Sequence, residues 1–185
     1  MKKLLTIIPL VILLCLTFGC QDKEAMAELE EFKAQAALEE QNKEIVNSFL
    51  EAWNKGWNKG DFEAAKEFLS PDYKYYAPSN NPKPMSLEET IEIGKMTHRA
   101  FADVSFSIEE LIAKGDRVIT RYTFRATHQG EFMGIPATGK TFEYSGIAIS
   151  HIENGKIVED KEEFDMLGLM QQLGFELKPK EEEEK

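Results

Sequence analysis

The sequence predicts an α+β domain in which N-terminal helices pack on a curved antiparallel sheet, leaving a cone with one open end. Three observations carry this. Apolar residues recur at three- and four-residue steps from Ile45 to about Ala100, broken by one short aromatic stretch. From Val104 the period changes to two. Two turn signals, "AKGD" (113–116) and "ENGK" (153–156), divide the second half into hairpins. Helices first and strands later argue against a βαβ arrangement.

Each element has its own justification. Ile45, Val46, Phe49, Leu50 and Trp53 form one helical face, with Gly56 as the expected stop. In "DFEAAKEFLSPDY" (61–73), Asp61 is the expected cap, Phe62, Ala65, Phe68 and Leu69 make the face, and Pro71 ends the helix. "PDYKYYAP" (71–78) reads as a short strand and "PSNNPKP" (78–84) as a polar loop. Ser86 with Glu89 three residues on is a capping box that opens a third helix. Val104, Phe106 and Ile108 alternate, then Val118, Thr120, Tyr122 and Phe124. Arg117, Arg121 and Arg125 fall on the opposite face, solvated or paired across strands with acids such as Glu143. A second hairpin follows around Asn154–Gly155, and "MLGLMQQLGF" (166–175) closes the chain's fold as a short apolar helix. Aromatics between helices and sheet are expected to line a pocket for a small hydrophobic molecule, with Trp53, Tyr76, Tyr122, Phe124 and Tyr144 as wall residues; the alternative is that they are simply core.

The ends carry a different message. Lys2 and Lys3 precede an apolar run from Leu4 to Phe18, shorter than the ~20 residues of a stable span. The run ends in "LTFGC", which resembles the lipobox of bacterial lipoproteins and implies cleavage after residue 19 and lipidation of Cys20; the alternative is an uncleaved membrane anchor or an ordinary signal. The expected organisation is a signal peptide (1–19), a helical linker (20–42), a folded domain (43–175) and a disordered acidic tail (176–185). The expected location is the bacterial cell envelope, lipid-anchored on the secreted side. With Cys15 inside the signal there is no disulfide framework. The net charge of -11, from 33 acids and 22 bases, argues against nucleic acid as a partner and against anionic lipid heads.

The order of elements and three motifs resemble the SnoaL-like polyketide cyclase and ester cyclase group of the NTF2-like superfamily. The motifs are "THQGEFMGIPATGK" (127–140), "ENGKIVE" (153–159) and "FDMLGLMQQLGF" (164–175), with "WNKGWNKGDFEAAKEFLSPDY" (53–73) matching the opening helices. The resemblance covers about residues 43–175. It implies the cone-shaped fold, cofactor-free acid/base chemistry and a homodimer through the sheet. The chain departs from the group at Lys161, where a tryptophan is common, and at Tyr75 or Tyr76, where a histidine is.

Two residues are singled out for chemistry. The resemblance makes Asp165 the general acid/base, and its neighbours Phe164, Met166 and Leu167 suggest an apolar setting. The competing reading is an N-cap for the last helix. His128 shares the apolar face of Tyr122, Phe124 and Ala126, where its imidazole could donate to an enolate oxygen; otherwise it ties the strand end to the loop. His98 and His151 read as structural, and the spacing of the histidines suits no metal site. Two functions stand: a cyclase or isomerase acting on a small hydrophobic carbonyl compound, and a non-catalytic ligand-binding or dimerising module. Lys161 and the acidic run "EDKEE" favour the second. Convergence of Asp165 and His128 on one cavity separates them.

Overall fold

A computed structural model describes residues 4–76 and 83–176, with side chains from Lys23 onward. Cys20, the loop 77–82 and the acidic tail beyond residue 176 lie outside the described side chains. The described residues form four helices and one five-stranded sheet, in the order α1 (Leu4–Lys59), α2 (Glu63–Lys66), β1 (Leu69–Tyr76), α3 (Leu87–Ala100), β2 (Phe101–Lys114), β3 (Arg117–His128), β4 (Thr141–Glu153), β5 (Lys156–Phe164) and α4 (Met166–Leu173). The chain divides into two compact units, residues 1–40 and 41–185. In the first, Met26, Leu29 and Phe32 are exposed. Among the described residues no helix is long and apolar enough to cross a membrane.

The second unit is the expected α+β fold. Its sheet runs β1-β5-β4-β3-β2. β2 to β5 form an antiparallel meander, whereas β1 pairs parallel with β5, so the sheet is mixed at one edge. Asn42, Val46, Phe49 and Trp53 recur at three- and four-residue steps on the buried side of α1. With Phe62 and Ile91 the apolar ones pack on Val118, Ile152 and Ile157 of the sheet. Burying each such apolar side chain stabilises the fold by roughly 1.5–3 kcal/mol.

Several local expectations meet their partners. Ser86 Oγ accepts from Glu89 N–H at 3.3 Å and Glu89 Oε2 from Ser86 N–H at 2.7 Å, the reciprocal capping box. Asn154 and Gly155 both have positive φ, as a tight two-residue hairpin requires. Arg125 is the register partner of Glu143.

Others are corrected. Gly56 does not stop α1. The helix runs on to Lys59, and Gly56 instead gives room to the Phe62 ring, which a Cβ there would meet at 2.5 Å. α2 is a single turn, because Leu69 to Pro71 are already strand. Pro71 fits there because β1 is an edge strand, where a missing N–H is tolerated. The N-cap of α2 is Phe62 rather than Asp61, whose Oδ1 accepts from Glu63 N–H at 3.0 Å in a turn just before the helix.

The glycine-rich stretch 129–140 connects β3 to β4 rather than cradling an anion. It is fastened to α3's end, where Gln129 and Gly130 donate to Ala100 O at 2.9 and 2.8 Å. A Cβ on Gly130 would lie 2.2 Å from Arg99 O. Gly130→Ala is therefore expected to cost about 1–3 kcal/mol, since backbone must move to admit a methyl group. A melting temperature equal to wild type would contradict this.

Candidate functional site

The inner face of the sheet is hollowed by sequence choice. In the middle of β4 the inward positions Gly146, Ala148 and Ser150 are all small, between the larger inward Tyr144 and Ile152, while Ile147 and Ile149 point outward and are exposed. This reverses the usual large-inside pattern. The space left is a cavity of about 760 Å³ between sheet and helices. It lies within the range of small-molecule sites. Its walls are rich in aromatics: Trp57 meets Phe124 edge-on at 5.2 Å, and Phe106 stacks on Tyr122 at 4.6 Å.

Into this apolar space β5 projects Asp160 and Glu162, while Glu163, also among the lining residues, is exposed. The reason is a β-bulge. His151 pairs with Glu159, but the next residue, Ile152, pairs with Ile157, so Val158 is extra. That residue shifts the alternation by one. Ile157 is buried, and beyond the bulge it is Asp160, Glu162 and Phe164 that face inward.

Each carboxylate is held by hydroxyls. Glu162 accepts from Tyr75 Oη and from Tyr122 Oη, one on each oxygen. Asp160 accepts from Tyr73 Oη at 2.7 Å and from Ser150 Oγ at 2.5 Å. Burial pushes the Glu162 carboxyl above its ordinary range, against the hydrogen bonds from Tyr122 and Tyr75 that favour its charged form. Burial likewise pushes Asp160 up to about 6, opposed by the bonds from Ser150 and Tyr73. Tyr75 and Tyr122 are raised by burial and then by the Glu162 charge, so both stay protonated donors. The arrangement is a carboxylate base with a proton affinity above the usual, flanked by two phenol donors in an apolar pocket. That constellation can remove a proton next to a carbonyl and steady the oxyanion that forms.

The expected site residues divide. Trp53, Tyr122, Phe124 and Tyr144 line the cavity. Tyr76 does not: strand alternation turns Tyr73 and Tyr75 inward, and Tyr76 lies outside with Lys161 Nζ 5.2 Å from its ring centroid. Asp165 reaches the cavity rim, but the apolar setting expected for it is absent. It is exposed, and its Oδ1 accepts from Gly168 N–H at 2.7 Å as the cap of α4. His128 shares the buried face of Tyr122 and Phe124 as expected, yet it is not a lining residue. Its ring packs on Phe101 and Phe132, and its Nδ1 accepts from Thr138 N–H at 3.4 Å and lies 3.1 Å from Thr138 Oγ1. Its backbone pairs with Lys140 and Gly139, so His128 ties the strand end to the loop. The structure thus brings Asp165 but not His128 to the cavity, so the two do not converge: by that criterion the pair favours the binding module, and a catalytic reading has to rest on Glu162 instead.

Asp160 and Glu162 escape a reading of the sequence because "EDKEE" looks like a solvated charge run. The signal that could have found the pocket is the inverted pattern of "YSGIAIS" (144–150). His98 and His151 have local partners: His98 Nδ1 lies 2.6 Å from Trp57 O, and His151 Nε2 lies 3.1 Å from Asp116 Oδ2. Among the described residues no group of acids, histidines or cysteines is arranged to hold a metal ion.

Residues 47–173 match the family model described as SnoaL-like polyketide cyclase. Aklanonic acid methyl ester cyclase DnrD from Streptomyces peucetius is 29% identical over 133 residues, covering 71% of this chain and 89% of that protein. Two solved structures are similar in fold and sequence. TsrD from Streptomyces laurentii is 30% identical with a TM-score of 0.62, covering 70% of this chain and 95% of its own. AclR from Streptomyces galilaeus is 29% identical with a TM-score of 0.65, covering 74% and 97%.

Proposed function

The chain belongs to the SnoaL-like polyketide cyclase family, and from that premise we propose that its cavity takes a small apolar carbonyl compound and cyclises or isomerises it without a cofactor. The observation that carries this is the Glu162 carboxylate, set in an apolar cavity between the hydroxyls of Tyr75 and Tyr122. Glu162 removes a proton from the carbon next to the carbonyl. The proton stays on the carboxyl, and a phenol freed from it donates to the enolate oxygen. The enolate carbon then attacks a second carbonyl in the same molecule, whose oxygen takes up the proton held on Glu162, or that proton is returned to another carbon of the enolate system; either way the carboxylate is restored. Cyclase activity on a methyl ester, as named for the relative, supports an ester-bearing ketone as the substrate class.

Surrogate substrates suffice for the test. A panel of aryl β-keto esters is incubated with the protein in D2O, and exchange of the α-hydrogens is followed by NMR against buffer alone. Exchange above the buffer rate in at least one member supports the proposal. Ligands that raise the melting temperature but exchange no faster than in buffer would turn the reading to a binding module.

Anchoring in the bacterial envelope through Cys20 is proposed on the sequence pattern "LTFGC" alone. Cys20→Ser is expected to move the protein from the membrane fraction to the soluble fraction of the source cells. Retention of the variant on membranes would exclude a lipid at that residue as the anchor.

A further inference from the structure

We propose that Gly146 is a positioning residue for the base: the bare strand at that point lets the Tyr122 ring lie across β4 and bring its hydroxyl to Glu162. The inference rests on the reading of Glu162 as the base. Tyr122 on β3 is the register partner of Gly146, and Gly146 in turn of Phe164 on β5, the next inward residue after Glu162. β4 therefore lies between the phenol and the carboxylate, and two strand spacings, about 10 Å, separate their backbones. Inward side chains ordinarily stand roughly perpendicular to a sheet. A tyrosine hydroxyl reaches a carboxylate two strands away only if its ring lies down over the strand between them, and Tyr122 Oη does donate to Glu162 Oε1.

Glycine is what that geometry needs. A Cβ on residue 146 would lie 2.3 Å from Tyr122 Oη, 2.4 Å from its Cζ and 2.9 Å from its Cε1, and these are the three nearest atoms. The backbone itself does not call for glycine. Gly146 has no positive φ, unlike Gly155 or Gly174, and a glycine within a strand weakens it. Tyr122 is buried and stacked on Phe106 at 4.6 Å, so its ring is held in this place. An alanine methyl group lifts the ring off β4, and the hydroxyl leaves Glu162. The other titratable groups facing Glu162 are Tyr75 of β1, Tyr144 of β4, and Asp160 and Glu163 of its own strand. None of them supplies an atom to that contact, so Tyr75 stays as the remaining donor. The bond from Tyr122 favours the charged carboxylate, so its loss moves the titration of Glu162 to higher pH.

The titration is read directly, by the 13C shift of the Glu162 carboxyl in glutamate-labelled protein, assigned by its absence in Glu162→Gln. Gly146→Ala and Tyr122→Phe are each expected to raise its midpoint by the same amount, and the double variant to raise it no further. Below the wild-type midpoint, α-proton exchange should fall about tenfold in each, the size of one hydrogen bond to a charged group. Melting temperatures supply an arm that survives a poorly folding variant: once Tyr122→Leu has removed the ring, adding Gly146→Ala should not lower the melting temperature. An unchanged Glu162 midpoint in Gly146→Ala, or a further rise in the double variant, overturns the proposal. So does a melting temperature that alanine lowers even without the ring, because the glycine then serves the strand. Midpoints that move as expected in a protein that exchanges no α-protons keep Gly146 as the positioner and remove Glu162 as the base.

Discussion

Glu162→Gln is expected to lower α-proton exchange by about two to four orders of magnitude, the range ascribed to a positioned general base. Glutamine has the volume of glutamate and can still bond to both Tyr75 and Tyr122, so the cavity keeps its shape. Ligand affinity should therefore change little while turnover collapses, which is the pattern of an interaction needed only in the transition state. The pH profile gives a second check. Wild-type exchange should rise with pH through a carboxyl titrating above its ordinary range, since burial raises Glu162, and the rise should vanish in the variant. Asp165→Asn, by contrast, should leave exchange within a few-fold of wild type, because that side chain caps α4 from an exposed position. A full rate in Glu162→Gln, or a collapse confined to Asp165→Asn, would move the base from β5 to the helix cap.

Asp160 should make the protein less stable as pH rises, against the usual trend of acid unfolding. Its folded carboxyl titrates at about 6, compared with 3.8 for the free side chain, because burial disfavours the charge. Below pH 3.8 both states hold the proton; between the two values only the folded state does; above about 6 neither does. Stability from this group is thus present at low pH and lost between roughly pH 4 and 6. About two units of difference amount to about 3 kcal/mol. Glu162 is shifted in the same direction, so the clean measurement is a difference. Urea unfolding of Asp160→Asn and wild type across roughly pH 4 to 8 should show the variant gaining on wild type through that window, since asparagine can bond to Ser150 and Tyr73 without a buried charge. Parallel curves for the two proteins would mean that Asp160 ionises at no cost in the folded state.

Helix faces, capping box and hairpin turns were legible because each is a local matter. Ser86 and Glu89 sit three residues apart whatever surrounds them, and Asn154–Gly155 selects its turn by backbone preference alone. His128 illustrates the limit of such reading. Its face was legible from alternation, but whether that face meets cavity or core depends on Phe101, brought alongside by β2, and on the fold of the following loop, which sets Phe132 against the ring. Tyr75 and Tyr76 illustrate it again, since neighbours on a strand point to opposite sides and only the docking of β1 on β5 says which is inside.

The sequence by itself determined the α+β order, the Ser86–Glu89 capping box, the hairpin turns and an aromatic-rich interior, because these follow from periodicity and short-range bonding. Tertiary structure alone decided which acids face the pocket. The single extra residue Val158 on β5 changes the facing of every side chain beyond it, and a bulge is defined by the strand alongside. Through that shift an apparently solvated "EDKEE" run delivers Asp160 and Glu162 into the apolar cavity, while Lys161 and Glu159 pair outside at 2.8 Å.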